Sequence, residues 1–413
     1  MHYDLLLLNP SLQPRRAPGA VRALRWVGGG HGWMPLGILF LASYLKKHGY
    51  SVMVLDMELY SSDDEQKLLQ QYVPEASYVG ISAMTAHVPH ALSLTRQVKA
   101  IRPDVPVIWG GVHASLMPQQ TVAHPQVDYV VVGEGEEALL QLLRGESHPR
   151  IETKSRRIEP SAYDQFIDID EIADPDYSAL EMEEYFARQG KFRNVDVLTS
   201  RGCPRRCSFC INTILKNRWR SFNAKRSISI LQRVVELYKP KHTFLMDENF
   251  FANTQRAQEI TDYIGSKGIT WEANITIKCA VELGRAGTLS RLKKNGCTRL
   301  RMGAESGSDR LLKILRKGIT HKDTEEAVRA CVAAKLSPVL SFMINLPDEL
   351  APEQQSTLWF AKHCGKLGAE VIGPQRFRPY PGSEEYDKLV KRGLKVPLTL
   401  EAWAASDLFN TVH

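Results

Sequence analysis

A chain of 413 residues is too long for one ordinary core, so two or three domains are expected. With 43% hydrophobic and 24% charged residues it has the composition of a soluble globular protein, and no stretch approaches the ~20 apolar residues of a membrane span. A net charge of +7, with Arg and Lys scattered among Asp and Glu, suits anionic small molecules and lacks the concentrated basic face that nucleic acid requires.

The first residues, "MHYDLLLLNP", have a short apolar run without the positive flank and cleavage site of a signal peptide, so they read as a first buried strand of a cytoplasmic protein. Seven cysteines, an odd number with three of them crowded together, do not make a secreted disulfide framework; a reducing compartment follows.

Up to about residue 142 the runs "YDLLLLNP", "SVMVLD", "YVGISA", "VPVIWGG" and "DYVVVGEGE" alternate with helical patterns at 36–48, 87–101 and 135–144. Short β-branched runs ending in Gly or Asp between helices predict a doubly wound parallel α/β sheet, with ligands beyond the carboxyl ends of its strands. Asp56, Ser82 to Thr85, Gly110 to His113 and Gly133 to Glu136 occupy those ends. Residues 145–194, rich in charge, Pro and Tyr, read as a linker.

From 195 the rhythm resumes with "VDVLTS", "HTFLMD", "WEANITI", "RLRMGAES", "PVLSFMINLP" and "EVIGPQRFRPYPG". Helices are expected at about 207–218, 225–238, 254–267, 285–295, 308–316, 322–334 and 352–367. Six strands with intervening helices suit a partial (β/α)6 barrel of the TIM type over 195–383, and 384–413 reads as a short helical tail.

Cys203, Cys207 and Cys210 fall just after the first strand of this second half, in "SRGCPRRCSFC". Three buried structural thiols are one reading, but Pro204 and two arginines between them argue against an apolar setting. Structural zinc is a second, though no further C-x2-C or His pair supplies the fourth ligand. An iron–sulfur cluster fits better: three thiolates hold three irons of a cubane and leave the fourth open to substrate.

"SRGCPRRCSFC" resembles the signature of radical S-adenosylmethionine (radical SAM) enzymes, and the likeness extends through roughly 195–383. The resemblance implies a [4Fe-4S] cluster on the three cysteines, whose open iron chelates SAM, with Phe209 near the adenine. It further implies that Asp247 and Glu248 in "FLMDENFF" lie near the SAM amino group, and that Glu305 and Ser306 in "RMGAESGSDRLLKILRKG" approach the ribose and carboxylate. Helix capping by Asp247 is the plainer alternative. "FMINLPDE" departs from the family's Gly-rich segment, with Asn345 and Asp348 in place of glycines, and Lys278 stands where many relatives have Arg. Arg376, Arg378 and Tyr380 in "RFRPYPGS" are expected to face an anionic substrate or SAM, unless they are surface residues. Cys279 is a core-facing thiol or a radical quencher.

The first half resembles the cobalamin-binding domain found ahead of the barrel in one large radical SAM class, through "MPLGILFLASYLKKHGYSVMVLD", "VGISAMTAHVPHALSLTRQVKAIRPDVPVIWGGVHAS" and "VDYVVVGEGEEAL". The resemblance places cobalamin against Ser82, Met84, Thr85, Gly110, Gly111, His113, Gly133, Glu134 and Gly135. No D-x-H-x-x-G signature is present; His31, His87, His90, His113 and His124 lack its context, so cobalamin without a protein histidine ligand is expected. A nucleotide site, or a domain that has lost its cofactor, is the alternative.

What the family implies is reductive cleavage of SAM, hydrogen abstraction from an unactivated C–H bond, and methylation at carbon or phosphorus of a small molecule. A reducing partner such as flavodoxin or ferredoxin is expected, with no nucleic acid and no membrane. A non-methylating cyclase or oxidoreductase, resembling the anaerobic magnesium-protoporphyrin monomethyl ester cyclase, is the runner-up; a cobalamin- or redox-sensing protein is the third. With little chain after Ser383 to cap the barrel, the substrate enters from the domain interface or a partner caps it.

Overall fold

The structure, a computed structural model, describes residues 2–12 and 33–410, so His31 lies outside it. By their contacts the described residues form two compact units, one up to Arg188 together with the stretch from Lys395, the other Gln189–Leu394.

The first unit is built on β1 (Tyr3–Asn9), β2 (Val52–Asp56), β3 (Ala76–Ser82), β4 (Val107–Gly110), β5 (Tyr129–Val131) and β6 (Ile151–Glu152). Their order is β2-β1-β3-β4-β5-β6, parallel except for the antiparallel β6. Leu5 to Leu8 are all buried, as in a strand covered by helices on both faces. Helices Leu36–Lys47, Val88–Ile101 and Glu136–Leu143 stand where the pattern predicts them. Helix Ser62–Tyr72 was not expected: only Glu65 and Leu69 of it are buried, so it carries no apolar stripe to read.

Within this unit the charged stretch before 188 is tied to the end of β2 and the residues after it. Tyr185 donates its hydroxyl to buried Asp56, and Asp56 also accepts from Asn9 at 2.8 Å. Helix Leu400–Ala405 lies along Val88–Ile101; Trp403 donates to Gln120 at 2.9 Å, and the imidazole of His124 and the guanidinium of Arg96 reach Glu401.

The second unit contains β7 (Asn194–Val197), β8 (Ser200–Arg201), β9 (Arg220–Ser221), β10 (His242–Leu245), β11 (Thr270–Asn274), β12 (Cys297–Glu305), β13 (Ser337–Ile344) and β14 (Glu370–Arg376). Six strands pair in parallel in the order β14-β13-β12-β11-β10-β7, the wall of a partial barrel, while β8 and β9 make a small antiparallel hairpin. The expected helix 207–218 shrinks to Ile211–Ile214 because the cysteine segment is held as a loop. The expected helix 285–295 is the shorter Thr288–Lys294; an unexpected helix, Ile277–Arg285, precedes it across a break at Gly287 with φ of 70°. Thr276 caps the first of them, so "ITI" leaves the strand it was assigned to. Among the described residues no helix is long and apolar enough to cross a membrane.

Candidate active site

The cysteine loop leaves the hairpin through Gly202, whose φ is 73° and where a Cβ would meet the Arg218 carbonyl oxygen at 2.3 Å. Only glycine fits that approach. Arg206 donates to the Cys203 carbonyl at 2.9 Å, Thr213 to that of Cys207 at 2.8 Å, and the Cys210 amide to Cys207 at 3.1 Å. Ser208 anchors the middle, its amide on the Leu315 carbonyl at 3.1 Å and its hydroxyl on buried Glu385 at 2.6 Å. All three thiols are free, and burial raises their pKa, that of Cys210 to about 11. Among the described residues no three His, Cys, Asp or Glu side chains converge on a point that would hold a single metal ion.

Asp247 and Glu248 follow β10, and the structure gives them different surroundings. Asp247 is fully buried; it accepts from the Thr199 amide at 3.1 Å, the Thr199 hydroxyl at 2.9 Å and the Ser200 hydroxyl. Its carbonyl accepts from Asn274 at 2.9 Å, so Asp247 ties the ends of β7, β10 and β11 together. Arg256 braces the same corner, donating to the carbonyls of Phe222 at 2.6 Å and Thr199 at 2.7 Å. Glu248 has an accessible face, accepts from Asn212, and is crowded by protein on its other sides, which raises its pKa; its charge is felt by Cys203 and Cys210.

At the end of β12, Glu305 takes φ of 64°, a left-handed conformation rare for a glutamate. Its carboxylate receives Lys317 Nζ at 2.7 Å. A Cβ on Gly303 would meet Glu305 Oε1 at 2.0 Å and Lys317 Nζ at 2.8 Å, so the glycine makes room for the pair. Burial works against the Lys317 ammonium, yet Glu305 and the thiols of Cys207 and Cys210 carry its pKa above the ordinary value. The same ammonium lies 5.8 Å from the centre of the Phe209 ring, which packs on a cluster of Leu311, Leu315, Leu346 and Phe377. Lys317 was missed in the sequence; the signal was a cationic residue just past helix Asp309–Ile314, which follows Glu305 and Ser306. Ser306 itself is buried, bonded to Thr357 at 3.0 Å and to the Ser308 amide at 3.1 Å, and shapes the loop.

Asn345 takes φ of 64°, a conformation Asn tolerates. Asp348 is held by Lys388 at 2.5 Å and Arg392 at 2.7 Å, which fastens helix Glu384–Lys391 to this loop. Beyond β14, Tyr380 lies close enough to Cys210 and Arg378 for their charges to act on it, although burial is the larger cause of its raised pKa. Arg376 is exposed at the strand end. Lys278 is exposed, and Cys279 is buried beneath it with its thiol 3.9 Å from the Phe251 carbonyl.

In the first unit the loops after β3 and β4 interlock: Ala83 donates to Gly110 at 3.0 Å, and His113 donates its amide to Ala83 at 2.9 Å. Gly111, with φ of 85°, would place a Cβ 2.9 Å from the Ala83 amide and carbonyl. Ser82, Met84, Gly110, Gly111, Gly133 and Glu134 are accessible; Thr85, His113 and Gly135 are buried. His113 is 1% exposed, packs edge-on against Trp403 at 5.5 Å, and burial lowers its pKa to about 4, so its imidazole is neutral. Its Nε2 has no hydrogen-bond partner among the described residues. Accessible small residues at three strand ends are compatible with a flat, amide-rimmed ligand such as a corrin.

Comparison with known proteins follows the same division. The Radical SAM superfamily model matches residues 197–356, and the B12 binding domain model matches 29–143. An uncharacterized methyltransferase of Pyrococcus horikoshii is 30% identical over 390 residues, 90% of this chain and 82% of the relative. The chain belongs to the radical SAM superfamily. More narrowly, this radical SAM chain is of the kind that carries a B12 binding domain, and with the family come its cofactors, a [4Fe-4S] cluster, SAM and cobalamin. The anaerobic magnesium-protoporphyrin IX monomethyl ester cyclase of Rubrivivax gelatinosus is 23% identical, over 86% of this chain and 66% of that protein, so the chain spans just under two thirds of it. The methyltransferase TsrM of Kitasatospora setae, solved with cobalamin and a [4Fe-4S] cluster bound, shares the fold with a TM-score of 0.71 at 18% identity, covering 95% of this chain and 75% of that one.

Proposed function

We propose that the protein is a cobalamin-dependent radical SAM methyltransferase that methylates carbon or phosphorus of a small molecule. The observation that carries it is the three-thiol loop with Glu248, Glu305 and Lys317 around it, in a chain 30% identical to an uncharacterized methyltransferase along 82% of that relative's length. When bound, the cluster and SAM supply hydrogen abstraction and cobalamin supplies the methyl group.

The chain's own residues bind and orient. Cys203, Cys207 and Cys210 hold the cluster on a loop fixed at Ser208 and Thr213. Phe209 offers a ring face for the adenine, while Glu248 and the Glu305–Lys317 pair offer charges of both signs to the amino, ribose and carboxylate groups. Asp247 and Ser306 act behind them, holding the strand ends that present these groups. Arg376, Arg378 and Tyr380 are assigned to an anionic part of the substrate. In the first unit the accessible Ser82, Met84, Gly110, Gly111, Gly133 and Glu134 would hold cobalamin, with the buried Thr85, His113 and Gly135 supporting their loops.

Seven free cysteines suit a reducing, cytoplasmic setting, and a flavodoxin- or ferredoxin-type protein supplies the electron. The test is product analysis: S-adenosylhomocysteine formed in step with 5′-deoxyadenosine supports methylation. Formation of 5′-deoxyadenosine alone would turn the assignment to the cyclase-type reaction.

A further inference from the structure

The mild net charge conceals one strongly one-sided stretch. Between residues 201 and 235 there are nine Lys and Arg residues and no Asp or Glu. Charge of one sign over that length is not needed to fold a hairpin and a helix, and it costs self-repulsion. Arg205, Arg206, Arg218 and Lys225 are all exposed, and among the described residues none of the four makes an ion pair. Three of them lie at the cysteine loop, Arg205 and Arg206 between Cys203 and Cys207 and Arg218 with its backbone packed directly on Gly202, while Lys225 stands in the first turn of helix Ala224–Tyr238, which follows β9. Arg206 is pinned, donating to the carbonyls of Cys203 at 2.9 Å and Asn217 at 3.3 Å, so the face is rigid where it meets the ligand loop.

We propose that this basic face is the docking site of an acidic, low-potential one-electron carrier protein. The inference rests on the reading that the three cysteines hold a [4Fe-4S] cluster. Docking there brings the carrier to the loop that holds the electron acceptor; one electron passes, the carrier is oxidised by one and the cluster is reduced by one, with no bond made or broken. Flavodoxin and ferredoxin share the required chemistry, an acidic surface around a one-electron centre. A nucleic acid would also meet positive charge here, but the concentration of charge on a redox loop favours a redox protein.

The test uses the full-length, iron-loaded protein with Arg205→Glu, Arg218→Glu and Lys225→Glu, singly and combined. Binding of a purified flavodoxin and of a ferredoxin is measured by calorimetry at low and high salt, alongside SAM cleavage driven by each carrier or by dithionite. Binding and carrier-driven cleavage are expected to fall roughly tenfold or more in the combined variant, and in the parent protein at high salt. Iron content and dithionite-driven cleavage are expected to stay at parental level. Unchanged carrier binding would overturn the assignment, as would preferential, competing binding of a DNA or RNA oligonucleotide. Lost iron in the variants would mean that the arginines and lysine support the cluster and not a carrier, whereas absence of iron in the parent itself would defeat the underlying reading.

Discussion

Lys317 holds its ammonium 2.7 Å from the carboxylate of Glu305, and Glu305 reaches it from a left-handed backbone conformation. A non-glycine residue kept at φ of 64° costs of order 1–3 kcal/mol and persists only where its surroundings over-determine it. Here the ion pair, the missing side chain of Gly303 and the Phe209 ring supply that constraint, beside the thiols of Cys207 and Cys210.

Gly303→Ala tests the pair without touching its charges. The new methyl would need space now filled by Glu305 and Lys317, so a loss of about 1–3 kcal/mol in unfolding free energy is expected, with weaker SAM binding. Denaturant unfolding and equilibrium dialysis with SAM check both; a variant as stable and as tight as the parent would show that the site is looser than described.

Gly202→Ala places a methyl against the Arg218 carbonyl at the entry to the cysteine loop. Its expected signature is a lowered melting temperature together with reduced iron uptake. Gly190→Ala, also at positive φ but with open space around it, is the control and is expected to keep full iron uptake.

The adjacent carboxylates after β10 are expected to part company. Asp247→Asn disturbs a buried carboxylate that accepts from Thr199 and Ser200, and its main effect is on stability. Glu248→Gln leaves stability near parental and weakens SAM binding. Parallel unfolding and SAM-binding titrations separate the two effects; equal loss of stability in both variants would contradict the division.

Glu353 gives a pH dependence. Hydrogen bonds from Arg310 at 2.8 and 2.5 Å, and from Ser308 at 2.7 Å, lower its pKa to about 2 from an ordinary value of 4.5. A carboxyl depressed in the folded state stabilises above its unfolded pKa and loses that contribution as pH falls through the folded value. The melting-temperature gap between parent and Glu353→Gln is therefore expected to be full above about pH 5 and to close toward pH 2. A constant gap across that range would remove Glu353 from the account.

Much of this was legible because strands ending in Gly or Asp announce a parallel sheet, and because Cys203, Cys207 and Cys210 lie within one short loop. The cysteine loop, the strand ends and the family came from local pattern. What stayed hidden was set by contacts distant in sequence. Adjacent Asp247 and Glu248 are indistinguishable in the sequence, but one turns into Thr199 and Ser200 and the other toward Asn212. Lys317 gained meaning only when β12 brought Glu305 back to it. Nothing in "GGVHAS" says that Trp403 covers its histidine, since the two residues are joined by a helix docking from the far end of the chain. The basic run at 201–235 was visible, but averaging charge over the whole chain concealed it.

The most direct test of the central claim is the iron content of anaerobically prepared protein, with the electron paramagnetic resonance spectrum of its reduced form before and after SAM. The account predicts about four irons per chain, a reduced-cluster signal that changes on adding SAM, and loss of both when Cys203, Cys207 and Cys210 are replaced by Ala. Iron retained in that triple variant, or zinc in place of iron in the parent, would contradict it.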